Sequence, residues 1–427
     1  MSKSLKLVKA ILCMLTVFAV ILTGCSSERK IKPDATEITK ISSAAGFLAG
    51  KVEESNGFIA STPKKSKDSD NAYLYDNAVA IIALSYAGAD WHAQKIADAI
   101  LFAQEHDRTF RDGRLRNVYV SGDPKSDSGR SITAGKVTIR LPGFWQDGRW
   151  QEDAYTVSTS TGNIAWTILA LCTVAENATF EQREEYIAAA IRAADFVLTF
   201  KSDSGGFTAG YVGWDDTQEK VTYKSTEHNI GLISAFSALA DIIAEKNPEK
   251  AEEYRKASEH AKSFVRSMYD NKLHCFYTGT EDDGKTISKG VIPLDTNTLA
   301  ILALEELSNT NQIISFVEER MTVGEGFDFS AGDLDGIWNE GTAQMAVCYS
   351  KFGYLEKYES IMKYLKTQTE KDGSIPAADR DGVSTGFVIV GTDILWEYNN
   401  SQSIGATGWL AFAQMKKNPL GQNSEQE

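Results

Sequence analysis

Six stretches of the chain share one pattern, a polar cluster followed by a run of small and apolar residues. They are YDNAVAIIALSYAG (75–88), TGNIAWTILALCTVA (161–175), TEHNIGLISAFSALA (226–240), LDTNTLAILALEELS (294–308), NEGTAQMAVCYSKFG (339–353) and, more faintly, SIGATGWLAFAQM (403–415). A helix that is apolar on nearly every side, as from Ala78 to Leu84, has no face left for water and must be buried all round. Recurrence of one unit along a chain marks a repeat architecture. Between these inner helices lie others with a single apolar stripe. In EKAEEYRKASEHAKSFVRSMYD (249–270), Tyr254, Ala257, Ala261, Phe264 and Met268 fall at three- and four-residue steps among charges, the mark of a helix buried on one side. Comparable stripes occupy about 36–53, 91–106, 182–200, 310–321 and 354–370. The alternation predicts an all-α fold, an (α/α)6 toroid of six helical hairpins around one axis over residues 36–417.

The connections are unequal. Inner helices pass to outer ones through a few residues, as at Gly88-Ala89-Asp90, whereas outer helices reach inner ones through long segments at about 54–72, 107–160, 201–225, 271–293, 322–338 and 371–402. Long loops in a compact domain are usually functional, and all of these collect where the inner helices begin. Six helix N-termini with unpaired N–H groups stand at that end, together with Asp76, Asn77, Thr161, Asn163, Glu227, His228, Asn229, Asp295, Asn297, Asn339, Glu340 and Ser403. Helix capping explains Asp, Asn, Ser and Thr: it accounts well for Thr161, Ser403 and Asn339, and evenly for Asp76 and Asp295. It explains Glu227 and Glu340 poorly, because Glu is not a favoured cap. These two glutamates therefore point to function.

The long loops are rich in glycine and aromatic residues: GFWQDGRWQEDAY (143–155), GGFTAGYVGWDD (205–216), GEGFDFSAGDLDGIW (324–338) and TDILWEY (392–398). A pyranose presents C–H faces for stacking and hydroxyls for polar side chains, so aromatics set among Asp, Asn and Gly suit a sugar-binding cleft. Trp145, Trp150, Trp214, Trp338 and Trp396 are the stacking candidates, with Asn163, His228 and Asn229 as hydroxyl-binding groups. The rest of the tryptophans and phenylalanines pin loops onto the ring.

Six repeats, Gly-aromatic loops and acids at inner-helix starts resemble the six-hairpin glycosidase superfamily, and the likeness spans about residues 36–417. NEGTAQMAVCY is also similar to the Ser-Glu-Gly helix start on which family eight glycosidases carry their general acid, with Asn339 in place of Ser. The resemblance implies a hydrolase of glycosidic bonds. Such a reaction needs a carboxylic acid to protonate the leaving oxygen and a carboxylate to activate water or attack carbon. Neighbouring helix axes about 9 Å apart put opposite axes of a hexagon about 18 Å apart, and backbone and side chains remove roughly 5 Å from each side. Opposed carboxylates then stand about 8 Å apart, in the range of an inverting pair. Asp76 and Asp295, on the first and fourth inner helices, are such a pair. Glu340 is the candidate general acid, with Trp338 as an apolar wall raising its pKa; Asp76 is the candidate base and Glu227 the reserve for either role. Asp153, Asp215, Asp328 and Asp335 are loop acids that could displace them.

Residues 1–24 read as a secretory signal, with Lys3, Lys6 and Lys9 before an apolar run that closes on LTGC, Leu22 to Cys25. LTGC resembles the bacterial lipobox, which implies a lipid on Cys25, a polar tether over 25–35, and a protein anchored at the cell surface or envelope. Removing the three signal lysines takes the net charge from −14 to −17. An acidic body with no basic stripe argues against nucleic acid and against a polyanion gripped by arginines. Cys172, Cys275 and Cys348 are odd in number, and two of them sit inside inner helices, so they read as buried thiols. His274 and Cys275 are adjacent and isolated, and DLDG at 333–336 is too short for a calcium loop, so neither a metal nor a cofactor is expected. The chain is expected to act as a monomer on an oligo- or polysaccharide, with a disordered tail over 418–427. Sugar epimerases of toroid shape rely on two histidines, and of five only His228 opens an inner helix. A polysaccharide lyase using His228 and Tyr155, and a glycan-binding lipoprotein without catalysis, are the alternatives.

Overall fold

In a computed structural model of the chain, residues 35–63, 70–305, 307–388 and 393–421 are described. The expected signal segment, the tether up to residue 34, the lipidation residue Cys25 and residues 422–427 of the tail lie outside them.

Each of the six apolar stretches is a helix: α3 (Leu74–Tyr86), α6 (Thr161–Glu176), α8 (Thr226–Ile243), α10 (Leu294–Ala303), α12 (Asn339–Lys351) and α14 (Ile404–Met415). Their outer companions are α1 (Ala35–Ile41) with α2 (Ser43–Ser55), α4 (Asp90–Glu105), α7 (Phe180–Leu198), α9 (Pro248–Ser267), α11 (Thr310–Met321) and α13 (Leu355–Gln368). A single turn, α5 (Ala154–Val157), lies within one long connection. Around the axis α3 packs on α6, α6 on α8, α8 on α10, α10 on α12, α12 on α14, and α14 returns to α3. The ring is closed, as the repeat predicts. Every residue from Ala78 to Leu84 is buried, whereas α9 buries Tyr254, Ala257, Ala261, Phe264 and Val265 along one stripe.

Two element boundaries differ from the sequence reading. α10 stops at Ala303, five residues short of the expected end, and its Leu302 carbonyl accepts Lys351 Nζ at 3.3 Å and Asn418 Nδ2 at 2.9 Å. The chain after Lys417 also begins packed rather than loose: Leu420 is buried and its carbonyl accepts Ser234 Oγ at 2.9 Å. With Pro419 and Gly421 it lines a cavity of about 250 Å³ beside Leu169, Cys172 and Asp241, residues of α6 and α8 far along from their N-termini.

The long connections are built from short antiparallel hairpins, among them Arg130–Thr133 with Lys136–Ile139, Phe144–Gln146 with Arg149–Gln151, and Val383–Val388 with Leu395–Tyr398. Two backbone devices fix the first turns beneath them. The first helical N–H of each inner helix donates to a carbonyl in the loop that precedes the next inner helix: Leu74 to Asn117, Thr161 to Ala209, Thr226 to Thr278, Leu294 to Phe329, Asn339 to Ala377 and, closing the circle, Ile404 to Ser61, all at 2.7–3.0 Å. Three residues further on, in all but α6, where Ile164 holds the position, a buried polar side chain grips the helix's own loop. Asn77 holds the N–H and C=O of Ile59, Asn229 those of Phe207, Asn297 the N–H of Phe276, Thr342 that of Phe327 and Thr407 that of Ile375. Buried backbone groups need partners, and these stitches supply them. They leave the second and third residues of each helix free to face the axis.

Candidate active site

The second residues of the six inner helices are Tyr75, Gly162, Glu227, Asp295, Glu340 and Gly405, and the third residue of α3 is Asp76. Helix capping is done elsewhere: Ser225 caps α8 and Ser403 caps α14, while Thr161 and Asn339, expected as caps, instead donate to the carbonyls of Thr208 and Pro376. The four acids are not consumed as caps. Tyr75 Oη donates to Glu340 Oε1 at 2.6 Å and accepts Trp409 Nε1 at 2.8 Å. A Cβ on Gly405 would stand 2.8 Å from both Asp76 Oδ1 and Glu340 Oε2, so these two oxygens lie within 5.6 Å of each other. A Cβ on Gly162 would lie 2.4 Å from His228 Cδ2. Two helices thus give up a side chain at the second position to make room for groups on their neighbours.

The floor is aromatic. Tyr75 and Trp166 meet edge to face at 5.4 Å between centroids, and Trp166 meets Trp409 the same way at 5.9 Å. Above them Tyr398 stacks on Trp338 at 5.4 Å, and Tyr155 meets Trp396 edge to face at 5.8 Å. This enclosure sets the proton affinities. Burial pushes Glu340 up to about 8, against the Tyr75 hydrogen bond and with the help of the charges of Asp76, Asp295 and Glu227. Burial, then the charge of Asp295, raises Glu227 to about 8, with the Trp166 indole opposing. Asp76 and Asp295 rise to about 6, again through burial, opposed by hydrogen bonds from Ser61 and from Thr296 respectively. Burial lowers His228 to about 4, so the imidazole is neutral; its Nε2 is 3.5 Å from Glu227 Oε2 and 3.3 Å from Ser160 Oγ. Tyr155 and Tyr398 are both pushed upward by burial, with further rises from the surrounding acids.

The structure therefore brings together Asp76, Glu227, Asp295 and Glu340, with His228 beside them. Asn163 faces the same end and donates to Asn117 Oδ1 at 2.9 Å. Two expected sugar contacts are structural instead. Asn229 is fully buried, with its amide spent on Phe207 and Ser225. Trp338 is buried between Phe329 and Tyr398 and offers no open face. Trp145, Trp150, Trp214 and Trp396 are exposed as expected; Trp145 and Trp150 pair across a hairpin, and Trp214 Nε1 donates to the Glu152 carbonyl. The loop acids have other employment. Asp215 is held by Arg108, Arg116 and Thr109 well below the usual carboxylate range, despite its burial. Asp153 caps α5, and Asp335 accepts the Ser384 N–H. Asp328, Asp333 and Asp335 group within 4.8 Å of one another, Asp328 accepting the N–H groups of Phe329 and Asp335.

Tyr75, Trp166, Tyr398, Trp409 and the two glycines were not singled out by the sequence. Aligning the six helix starts would have found Tyr75, Gly162 and Gly405, since they share a register position with Glu227, Asp295 and Glu340. Tyr398 closes the aromatic segment TDILWEY, where only Trp396 was chosen, and reaches the pocket from a hairpin.

No family model matches the sequence, and no curated protein matches it. Solved structures match its shape. A glycosidase variant in complex with glucose aligns over 91% of this chain and 100% of its own, at 12% identity and a TM-score of 0.61. A cellobiose 2-epimerase from Bacillus thermoamylovorans aligns over 88% and 99% at 12% identity and 0.57, and a D-mannose isomerase over 91% and 99% at 12% identity and 0.58. At such identity the likeness is one of fold, on which different chemistries can be built. The chain has the (α/α)6 toroid fold that it shares with these sugar-handling enzymes.

Proposed function

We propose that the chain is a carbohydrate-active enzyme that hydrolyses glycosidic bonds, with Glu340 as general acid and Asp76 as its partner. The observation that carries this reading is the convergence of carboxyls of unequal proton affinity in one enclosed pocket. Pairs of titratable groups whose environments push them apart divide acid from base. Glu340, at about 8, keeps its proton at neutral pH, while Asp76, at about 6, has mostly lost its own. Their nearest oxygens lie within 5.6 Å, which suits the short spacing of about 5 to 5.5 Å of a retaining pair better than the wider spacing that admits a water. On this reading Asp76 attacks the anomeric carbon while Glu340 protonates the departing oxygen; water then releases the sugar with Glu340 as base. The inverting route expected from the sequence rested on the opposed pair Asp76 and Asp295, and the anomer formed first, followed by NMR, separates the two.

Isomerase and epimerase neighbours raise a second reading, proton transfer at a sugar carbon. The positions of the histidines weigh against a two-histidine version. Only His228 stands at the pocket; His92 pairs with Glu53, His106 with the Phe102 carbonyl, His260 with the carbonyls of Ser202 and Gly206, and His274 with Tyr269. A lyase with Tyr155 as base is disfavoured because burial and the nearby acids hold that phenol protonated. Incubation with oligosaccharides in deuterated water tests the choice: new reducing ends without deuterium on carbon support hydrolysis, whereas deuterium at C2 without chain cleavage overturns it. Glu340→Gln that binds sugar but does not cleave it also separates an enzyme from a glycan-binding protein.

For the residues outside the described part, the LTGC motif supports a lipid anchor on Cys25 at the cell surface or envelope. Cys25→Ser should move the protein from the membrane to the soluble fraction, and unchanged partitioning would count against the anchor.

A further inference from the structure

Five inner helices bind their own loop with a polar fourth residue, and α6 cannot, because Ile164 holds that position. The connection that leads into α6 supplies the grip from its own side, through the buried Asn117. The Asn117 N–H donates to the Ser158 carbonyl at 2.8 Å, and its carbonyl accepts the Leu74 N–H at 2.9 Å. Its Nδ2 donates to the Tyr155 carbonyl at 2.8 Å, while its Oδ1 accepts the Ser160 N–H at 2.8 Å and Asn163 Nδ2 at 2.9 Å. Next to it the fully buried Arg116 is clamped by Asp107 and Asp215, which holds the joint in place. One residue thus ties the start of α3, with Tyr75 and Asp76, to α5 and to the start of α6.

These contacts fix the direction of two amides. An Asn side chain turned end for end keeps its shape, and only its partners say which end is oxygen. At Asn117 two partners are backbone groups of fixed character: the Tyr155 carbonyl needs the NH2, and the Ser160 N–H needs the oxygen. Asn117 therefore meets Asn163 with an oxygen, Asn163 answers with its NH2, and the Asn163 Oδ1 is turned away from the joint. Among the described residues nothing donates to that Oδ1, and the side chain is only half-buried. Its register places it at the pocket. On α3 and α8 the third residue leans over the second residue of the preceding inner helix, Asp76 at Gly405 and His228 at Gly162. Asn163 is the third residue of α6, and the inner helix before it carries Tyr75 in second place.

We propose that Asn163 determines specificity, its Oδ1 accepting a hydroxyl hydrogen of the bound sugar, and that Asn117 is the positioning residue that holds it so. This inference rests on the pocket being the sugar site of the proposed function. An amide gripped at its nitrogen cannot swing its oxygen away. The site therefore tells a hydroxyl from groups that only accept, such as a methoxy or a fluorine on the same carbon, and narrows the substrate to glycosides with a free hydroxyl there.

The test starts with calorimetric titration of the full chain with glucose, galactose, mannose, xylose and N-acetylglucosamine, and continues with the deoxyfluoro analogues of the sugar that binds best. Fluorine has no hydrogen to donate, so at the carbon that faces Asn163 the exchange should weaken binding about three- to tenfold in the parent. Asn163→Ala should abolish that difference while melting with the parent, because Asn117 Oδ1 keeps the Ser160 N–H. Asn117→Leu should abolish it too, with no further effect when combined with Asn163→Ala. Asn117→Asp, whose buried carboxyl keeps its proton and again offers one donor and one acceptor, should restore it. An Asn117→Leu protein that loses stability but keeps the difference overturns the role of Asn117. If that variant does not fold, the Asn163→Ala arm decides alone. Fluorine tolerated at every carbon, or a loss that survives Asn163→Ala, overturns the inference and leaves the hydrolase reading standing. If no sugar binds, both fall.

Discussion

A carboxyl that loses its water on folding holds its proton more tightly, and in the proposed function this makes Glu340 the general acid while also linking its proton to stability. The acid must be protonated and Asp76 ionised, so kcat/KM should trace a bell with limbs near pH 6 and pH 8. Because the four acids feel one another, those limbs belong to the group as a whole. Glu340→Gln keeps volume and hydrogen bonding but delivers no proton, and turnover should fall about a hundredfold or more. Its stability effect has a sign. The folded-state pKa of Glu340 lies above its ordinary 4.5, so the stabilisation linked to this proton is complete below pH 4.5 and is lost as pH rises toward about 8. The variant escapes that loss: it should melt near the parent at pH 4.5 and above it at pH 8, by on the order of 2 to 4 kcal/mol. A variant less stable than the parent at pH 8 would mean Glu340 is ionised and paired in the folded state. Tyr75→Phe removes a hydrogen bond that favours the Glu340 carboxylate, so the alkaline limb should move to higher pH. An unmoved limb would show that Glu340 does not set it. Gly405→Ala would place a methyl between Asp76 and Glu340; activity should drop sharply while the melting temperature holds, and full activity would show that the two do not work as a pair.

At the scale of elements, the first turn of each inner helix has divided duties. Its first N–H binds the next loop, in every helix but α6 its fourth side chain binds its own loop, and the acids of the candidate site stand between the two. The helices themselves were legible from apolar runs, and so was the end of the ring at which chemistry gathers. The duties were not, because Asn229 and Asp76 look alike as polar residues opening a helix. Orientation separates them: on a helix each residue turns about 100° from the last, so one aims at the axis and another at the loop behind. Asn229→Ala should therefore cost about 2 to 4 kcal/mol, from stranded backbone groups of Phe207, and leave the KM of the folded fraction unchanged. A raised KM with unaltered thermal stability would return Asn229 to ligand binding. The hairpins within the long loops escaped the sequence reading because their strands are two to six residues long, too short for alternation to stand out.

At the scale of the molecule, stability and site depend on closure. α14 touches both α12 and α3, and the Ile404 N–H reaches back to Ser61. A single hairpin cannot bury an inner helix that is apolar on all sides, so partial rings should not persist. A chain ending at residue 402 is expected to lose its cooperative thermal transition altogether. Two separated transitions in the full-length protein, or a melting transition retained by the shortened one, would refute closure as the source of stability. The sequence by itself determined what depends on order along the chain: six inner and six outer helices, long loops at one end, and acids among the residues that open the inner helices. It did so because burial on all sides or on one side leaves a periodic trace in local composition. Only the tertiary structure decided which of those polar residues share a pocket, that Glu340 lies beside Asp76 and is held by Tyr75, and that Trp338 is covered by Tyr398. These are distances between segments remote in sequence, set by closure of the ring, and no local pattern records them.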